Sequence, residues 1–222
     1  MRRAAVLLLL LVAACDPSAA PVVVTLGDSV AAGAACGCQP FPALYASSQH
    51  ASNVNLARSG ATAADVRAEV PTEKSVLESA TQVVIMIGAN DMAGDFEDPS
   101  KYPTVATGVQ DDVEATIKAI EAVHRTRVVV LGYWNVVLDG KVAASTYGAD
   151  EVSDSESATA VINRALQTAA TRTGSTYVST DPAFHGADGS EDPTNLLASD
   201  GDHPNAAGQK AIAALIPPLP RK

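Results

Sequence analysis

Three short stretches rich in Val, Ile and Leu, at residues 22–26, 82–87 and 127–131, show no alternation of apolar and polar residues. Such stretches are typical of strands buried on both faces of a parallel sheet. Weaker strand-like stretches lie at residues 54–57 and 176–179, and helical stretches separate them. This alternation predicts a single α/β domain, a three-layer α/β/α sandwich with a five-stranded parallel sheet. The strand order 2-1-3-4-5 is expected from doubly wound sheets of this size.

Three long stretches have the apolar spacing of helices. Between the third and fourth predicted strands, apolar residues recur every three or four positions and form one stripe. They are Val105, Val109, Val113, Ile117, Ile120 and Val123. A second such helix covers residues 158–169 and is expected to end at Gly174. A last helix is predicted over about 205–216, before Pro217 and Pro218.

Residues suited to chemistry follow the predicted strands directly. Ser29 follows the first strand, Gly60 the second, Asn90 the third, and Asp200 and His203 lie after the fifth. In open α/β sheets, ligands bind in the crevice outside the carboxyl ends of the strands. The sequence therefore predicts one site at that edge of the sheet.

Four short motifs contain these residues, and they occur in a fixed order along the chain. They are Gly27-Asp28-Ser29, Gly60 at the end of residues 55–60, Gly88-Ala89-Asn90-Asp91, and Asp200-Gly201-Asp202-His203-Pro204. This order of serine, glycine, asparagine and histidine resembles the SGNH (GDSL-type) hydrolase family of bacterial esterases and lipases. The resemblance implies the flavodoxin-like SGNH hydrolase fold. It also implies hydrolysis of carboxylic esters through an acyl-serine intermediate, with neither a metal nor an organic cofactor.

The resemblance assigns a role to each motif. Ser29 is the expected nucleophile and His203 the base that takes its proton, because serine alone reacts poorly. Asp200 would hold the tautomer of the His203 ring. The backbone N–H groups of Ser29 and Gly60 and the side-chain amide of Asn90 would form the oxyanion hole.

Some residues near these motifs have competing interpretations. Asp202 competes with Asp200 for His203, although neighbouring side chains are expected to point apart, and His185 is a reserve candidate for the base. Asp28 and Asp91 are interpreted as loop scaffolding. Ser29 could also serve as a helix N-cap. Tyr133 and Trp134, after the fourth strand, fit either the lining of an acyl or aryl pocket or the core.

The N-terminal residues resemble a bacterial lipoprotein signal. Arg2 and Arg3 precede an apolar stretch over residues 4–14, and Cys15 follows small residues as in a lipobox. We expect residues 1–14 to be a signal peptide, 15–21 a lipidated tether and 22–222 the hydrolase domain. The protein would be exported and anchored by lipid to the outer face of the bacterial cell membrane. The alternative is an ordinary signal peptide cut near Ala19.

Two further cysteines, Cys36 and Cys38, lie shortly after Ser29. In an exported protein such a pair favours a disulfide, with free thiols as the second interpretation. A metal site is less favoured, because no histidine or further cysteine lies nearby in sequence.

The composition restricts the partners. A net charge of −10 argues against nucleic acid, whose binding requires basic patches. We expect a monomer that takes a small-molecule or lipid ester. The motif at residues 200–208 is most similar to the arylesterase, thioesterase and lysophospholipase branch of the family. The alternatives are a glycan O-acetylesterase of the cell envelope and a catalytically inactive surface binding lipoprotein.

Overall fold

The computed structural model describes residues 20–135 and 138–220. The predicted signal peptide over residues 1–14 and the lipidation site Cys15 lie outside the described residues. In the described part, no helix is both long and apolar enough to cross a membrane.

Five strands and ten α-helices make up the described chain, together with a short 3-10 helix at Pro193–Leu196. The strands are β1 (Val22–Gly27), β2 (Ser52–Asn55), β3 (Gln82–Met86), β4 (Arg127–Leu131) and β5 (Thr176–Val178). The helices are α1 (Ser29–Ala32), α2 (Phe41–Ser48), α3 (Ala63–Glu69), α4 (Lys74–Leu77), α5 (Ala89–Met92), α6 (Tyr102–Val123), α7 (Gly140–Tyr147), α8 (Ala149–Thr173), α9 (Asp181–His185) and α10 (Ala206–Leu215).

All strands are parallel, and their order is β2-β1-β3-β4-β5. This confirms the predicted fold class and strand order. Strands β1, β3 and β4 are almost entirely buried, as their unbroken apolar sequences indicate. Strand β1 therefore lies inside the sheet, and the turn that carries Ser29 follows directly from it.

The prediction for β2 was wrong by two residues, since the strand covers Ser52–Asn55 and not residues 54–57. The side chain of Asn55 accepts a hydrogen bond from the backbone N–H of Ala57 at 3.1 Å, which turns the chain out of the strand. Strand β2 lies at the edge of the sheet and pairs with one neighbouring strand. The apolar pattern of its sequence therefore predicts its bounds poorly. Backbone pairing with β1 begins instead at the polar Ser52.

Helices cover both faces of the sheet. Helix α6 packs against α3 and α8, while α2 packs against α10. The predicted stripe on α6 faces inward, with Val109, Val113, Ile117 and Ile120 buried. Helix α8 ends at Gly174, whose φ of 71° lies in the left-handed region that glycine adopts without strain.

Candidate active site

Ser29 is the first residue of α1 and is partly exposed. The helix N-cap is Asp28, whose carboxylate accepts a hydrogen bond from the backbone N–H of Val30 at 3.0 Å. The N-cap interpretation of Ser29 was therefore wrong, and its hydroxyl has no capping role. Gly27 permits the close approach of β1 and β3 here, because a Cβ at this position would lie 2.5 Å from the carbonyl oxygen of Met86.

Asp28 and Tyr133 form a buried pair beneath Ser29. The hydroxyl of Tyr133 donates to Asp28 Oδ2, and neither residue is exposed. Burial raises the pKa of Asp28 to about 6, although the hydrogen bonds from Tyr133 and Val30 lower it. Burial and the nearby Asp28 carboxylate raise the pKa of Tyr133 well above its ordinary value, so its hydroxyl stays protonated and can donate. Tyr133 is thus a core residue and not the lining of an open pocket.

His203 lies between two carboxylates. Its Nδ1 atom is 2.9 Å from Asp200 Oδ2 and 3.4 Å from Asp202 Oδ2. Asp200 Oδ1 also accepts hydrogen bonds from the backbone N–H groups of Asp202 and His203, both at 3.1 Å. The expectation that Asp202 points away from the ring was wrong. With Nδ1 facing carboxylates, the ring nitrogen left for another partner is Nε2.

The two carboxylates differ in proton affinity. Burial acts to raise the pKa of Asp200, but hydrogen bonds from His203 and two backbone N–H groups outweigh it and keep that pKa below the ordinary value. Burial raises the pKa of Asp202 to about 7; the His203 charge opposes the shift, and Asp200 adds to it. At neutral pH, Asp200 is therefore the ionised partner of His203, and Asp202 titrates in this range.

Gln209 ties the histidine-bearing segment to the serine-bearing helix. Its buried amide donates from Nε2 to the carbonyl oxygen of Val30 at 3.0 Å and accepts from the backbone N–H of Phe41 at 2.7 Å. The His203 charge also acts on Asp28, the neighbour of Ser29. Across residues 20–135 and 138–220, the hydrogen bonds of His203 do not include one to the Ser29 hydroxyl.

A hydrogen bond links Asn90 to the segment that contains Gly60. The side-chain amide of Asn90 donates from Nδ2 to the carbonyl oxygen of Ala61 at 2.9 Å, directly after Gly60. Because that amide has two N–H groups, one remains for another acceptor. Asp91 accepts from the backbone N–H of Ala63 at 3.0 Å and so holds the same segment. Gly60 is exposed and has a φ of 80°, which suits glycine.

The other residues that the sequence offered as candidates fall outside this arrangement. His185 cannot serve as a base, because its two ring nitrogens lie 2.7 Å from Asp181 Oδ1 and 3.1 Å from Asp139 Oδ2. Trp134 is 3% exposed and stacks on Phe184, with ring centroids 3.9 Å apart. The interpretation as core therefore holds for Trp134 as well as for Tyr133.

Cys36 and Cys38 form a disulfide in the loop between α1 and α2, with Cα atoms 5.1 Å apart. This loop leaves α1 through Gly33, and the backbone N–H of Ala34 donates to the carbonyl oxygen of Ser29 at 2.9 Å. The disulfide therefore belongs to the segment that supports Ser29. Among the described residues, no group of three or more His, Cys, Asp or Glu side chains is arranged to hold a metal ion.

The buried Asp28–Tyr133 pair is a feature that sequence reasoning missed. The capping role of Asp28 supports its interpretation as scaffolding, but the sequence predicts no partner for its carboxylate. The sequence does give an indication of the Tyr133 position, because Tyr133 closely follows β4 and so lies at the edge of the sheet where the other candidate residues lie.

The doubly wound parallel sheet, with serine, glycine, asparagine and an Asp–His pair at its carboxyl edge, defines the class of SGNH-type hydrolases. The model of the GDSL-like lipase/acylhydrolase family matches residues 25–211. The chain belongs to this family and is a carboxylic ester hydrolase.

Several solved structures are similar to this one. Phospholipase A1 from Streptomyces albidoflavus has a TM-score of 0.68 and 23% identity, over 89% of this chain and 100% of that one. An extracellular lipase from Streptomyces rimosus has a TM-score of 0.64 and 22% identity, over 88% and 98%. A mutant of the acetylxylan esterase Axe2 from Geobacillus stearothermophilus has a TM-score of 0.65 and 17% identity, over 88% and 91%. At these identities the likeness concerns the fold. Comparison with curated proteins finds no significant sequence match.

Proposed function

We propose that this hydrolase cleaves carboxylic esters through an acyl-serine intermediate on Ser29, with His203 as general base and Asp200 as the partner of His203. The observation that carries the proposal is the contact of 2.9 Å between His203 Nδ1 and the ionised Asp200. A carboxylate at Nδ1 keeps the proton on that nitrogen and leaves Nε2 able to accept one. His203 Nε2 can therefore accept the proton of the Ser29 hydroxyl.

The reaction runs in two halves. Ser29 Oγ attacks the ester carbonyl carbon as its proton passes to His203 Nε2, and the negative oxygen of the tetrahedral intermediate meets the oxyanion donors. When the intermediate collapses, His203 returns the proton to the departing alkoxide and the acyl group stays on Ser29. A water molecule, deprotonated by His203, then releases the acid and restores the serine. Ser29 and His203 come within hydrogen-bonding distance in the substrate complex, as catalytic groups often do only once substrate binds.

Three donors are assigned to the oxyanion. They are the backbone N–H groups of Ser29 and Gly60 and the second N–H of the Asn90 amide. The hydrogen bond from Asn90 to the carbonyl oxygen of Ala61 supports this assignment, because it orients the amide beside Gly60. A donor that is held in place before the reaction costs no reorganisation when charge develops.

The experiment compares Ser29→Ala, His203→Ala and the double variant in hydrolysis of p-nitrophenyl esters. Each single variant should lose nearly all turnover, and the double should be scarcely worse, because such groups act as a unit. A fluorophosphonate probe should label wild-type Ser29 and not the Ser29→Ala variant. Labelling of a different serine would overturn the assignment of the nucleophile.

For the substrate, we propose an ester of the arylesterase, thioesterase or lysophospholipase kind. The motif at residues 200–208 supports it, and so do the structural neighbours named as a phospholipase and a lipase. A glycan O-acetylesterase is the second candidate, supported by the acetylxylan esterase neighbour. Turnover on p-nitrophenyl esters of graded chain length separates them: a preference for acetate favours the second, and a preference for longer chains the first. A folded protein with no turnover on any ester would support the inactive binding lipoprotein.

For localisation, we propose export and a lipid anchor on Cys15 at the outer face of the bacterial membrane. The support is the sequence of residues 1–15. One acyl chain binds a membrane only marginally, so stable anchoring needs two or more chains. Cys15→Ser should release soluble protein or block processing. Wild-type protein that washes off membranes in salt, with an unmodified N-terminus, would contradict the anchor. We also propose a monomer, and light scattering of the purified domain tests it.

A further inference from the structure

A second histidine, His185, lies in a cluster of charges outside the proposed machinery. Its Nδ1 atom is 2.7 Å from Asp181 Oδ1 and its Nε2 atom 3.1 Å from Asp139 Oδ2. A neutral imidazole has one N–H and cannot donate from both nitrogens, whereas the imidazolium can. Hydrogen bonding to Asp139 is the main cause that raises the pKa of His185 to about 9; burial opposes it and Asp181 adds to it. His185 is therefore a cation at neutral pH.

Asp139 is the buried carboxylate that the positive charge of His185 stabilises. Its side chain is 7% exposed, against 45% for that of Asp181. Asp139 Oδ1 also accepts from the backbone N–H of Gly140 at 2.7 Å and so caps α7. A buried carboxylate that loses its cationic partner becomes an uncompensated charge, which is strongly unfavourable.

Other charged groups near α9 are engaged elsewhere or lie in solvent. Helix α9 packs against α10 and the 3-10 helix. Next to the 3-10 helix, Asp192 pairs with Lys141 at 2.7 Å. Glu191, whose side chain lies beside Gly186, is exposed, as is Lys210 on α10. The cation that faces Asp139 is accordingly His185.

The backbone of Asp139 holds the loop of the proposed Asp–His pair. Its N–H donates to the carbonyl oxygen of Gly201 at 3.0 Å, in the middle of the motif over residues 200–203. Gly201 has a φ of 71°, and a Cβ there would lie 2.9 Å from the backbone nitrogen of Ala143 on α7. The loop thus packs directly on the start of α7, which Asp139 caps.

We infer that His185 is a positioning residue: its imidazolium fixes Asp139, and Asp139 fixes through Gly201 the loop that presents Asp200 and His203. The inference rests on the proposed roles of Asp200 and His203. The ring nitrogens of His185 face Asp181 and Asp139 and form no hydrogen bond with Ser29, Asp200 or His203 in the described part of the chain. Loss of its proton leaves the Asp139 carboxylate unbalanced and loosens the hold on Gly201. Wild-type kcat should therefore fall as the pH rises through about 9, separately from the acid limb set by the catalytic base.

The test is a comparison of His185→Gln and His185→Arg with the wild type in p-nitrophenyl ester hydrolysis. His185→Gln should lower kcat at every pH, by up to about 10²-fold if the displacement approaches 1 Å, with little change in KM. His185→Arg keeps a permanent charge and several donors, so it should retain most of the activity and lose the alkaline limb near pH 9. If His185→Gln does not fold, the Arg variant and the wild-type pH profile still decide.

Two controls separate positioning from stability. His124→Gln makes the same chemical change at the end of α6, away from this loop, and should leave the pH profile unchanged. Ile120→Val lowers stability in the core of α6, remote from this loop, and should leave kcat unchanged well below its melting temperature.

Three results would overturn the inference. The first is a wild-type kcat with a wild-type alkaline limb in His185→Gln. The second is a loss of kcat that follows melting temperature equally in His185→Gln and Ile120→Val. The third, which needs no His185→Gln protein, is an alkaline limb near pH 9 that persists in His185→Arg. Each of these results leaves the proposed function intact if Ser29→Ala and His203→Ala are inactive. If those two variants retain turnover, it is the proposed function that fails.

Discussion

The hydroxyl of Tyr133, just after β4, donates a hydrogen bond to the carboxylate of Asp28, the cap of the helix that Ser29 begins. Both side chains are fully buried, so the pair is sheltered from water. The backbone of Tyr133 is itself held by the Asn163 amide, which accepts from its N–H at 2.8 Å and donates to its carbonyl oxygen at 2.7 Å. Three distant parts of the chain thus support the turn beneath Ser29.

Tyr133→Phe tests this support. It removes the hydroxyl that donates to Asp28 Oδ2, while Oδ1 still accepts from the backbone N–H of Val30. Loss of this donor to a buried carboxylate should cost about 1–3 kcal/mol in the free energy of unfolding. Urea denaturation at pH 8 measures the loss. The double variant Tyr133→Phe with Asp28→Asn should recover part of it, because the amide carries no charge to be stranded. An additive effect of the two changes would show that the hydrogen bond contributes nothing.

Asn90→Ala tests the oxyanion assignment. It removes the side-chain amide beside Gly60 and should lower kcat by about 10²–10³-fold, as deletion of one oxyanion donor does. Asn53→Ala, at an exposed position of β2, is the matched control and should keep the wild-type kcat. Steady-state kinetics on one p-nitrophenyl ester is sufficient. Near-wild-type kcat in Asn90→Ala would exclude the amide from the oxyanion hole.

Asp200→Asn and Asp202→Asn should differ in both activity and stability. Asp200→Asn should slow turnover more, because Asp200 is the ionised carboxylate at His203 Nδ1. The pKa of Asp202 is raised to about 7, so the folded state disfavours its ionisation. The resulting destabilisation is absent below pH 4 and grows as the pH rises towards 7.

Asp202→Asn should therefore be more stable than the wild type at pH 8, on the order of 1 kcal/mol once solvent screening is allowed for, and not at pH 3.5. Unfolding in urea at the two pH values measures the difference. If Asp202→Asn raised the free energy of unfolding by the same amount at pH 8 and at pH 3.5, ionisation of Asp202 would not be the cause of the gain. A larger loss of turnover in Asp202→Asn than in Asp200→Asn would exchange the roles of the two residues.

Gln209→Leu tests the tie between α10 and α1. It leaves the carbonyl oxygen of Val30 and the backbone N–H of Phe41 without partners, and each buried unsatisfied group costs about 1–3 kcal/mol. The melting temperature should fall, and fluorophosphonate labelling of Ser29 should slow, because the histidine loop is no longer held against α1. Gln167→Leu, at an exposed position of α8, is the control. A lower melting temperature with unchanged labelling would restrict Gln209 to a structural role.

Local pattern was sufficient for much of the fold and for the edge of the sheet at which the candidate residues lie. Strands β1, β3 and β4 are buried on both faces, so their apolar sequences predict them directly. The stripe on α6 is regular for the same reason, since one side of the helix packs inward throughout. The edge at which Ser29 and Asn90 gather follows from the parallel order of the strands alone.

The interactions that local pattern did not predict join residues far apart in sequence. Asp28 follows β1 and Tyr133 follows β4. His185 at the end of α9 contacts Asp139 at the start of α7. Nothing near Asp202 in sequence indicates that its carboxylate would turn towards the neighbouring ring; the turn at Gly201, pressed against α7, brings it there. These contacts depend on tertiary packing, which periodicity does not encode.

The order of the elements along the chain has a consequence for how the site is completed during folding. Ser29 follows the first strand, but Asp200 and His203 come after the last strand, and α10 must still dock through Gln209. A chain that has formed all five strands but lacks α10 would therefore hold Ser29 without Asp200 and His203. Under the proposed mechanism, a fragment that ends at β5 should show no esterase activity.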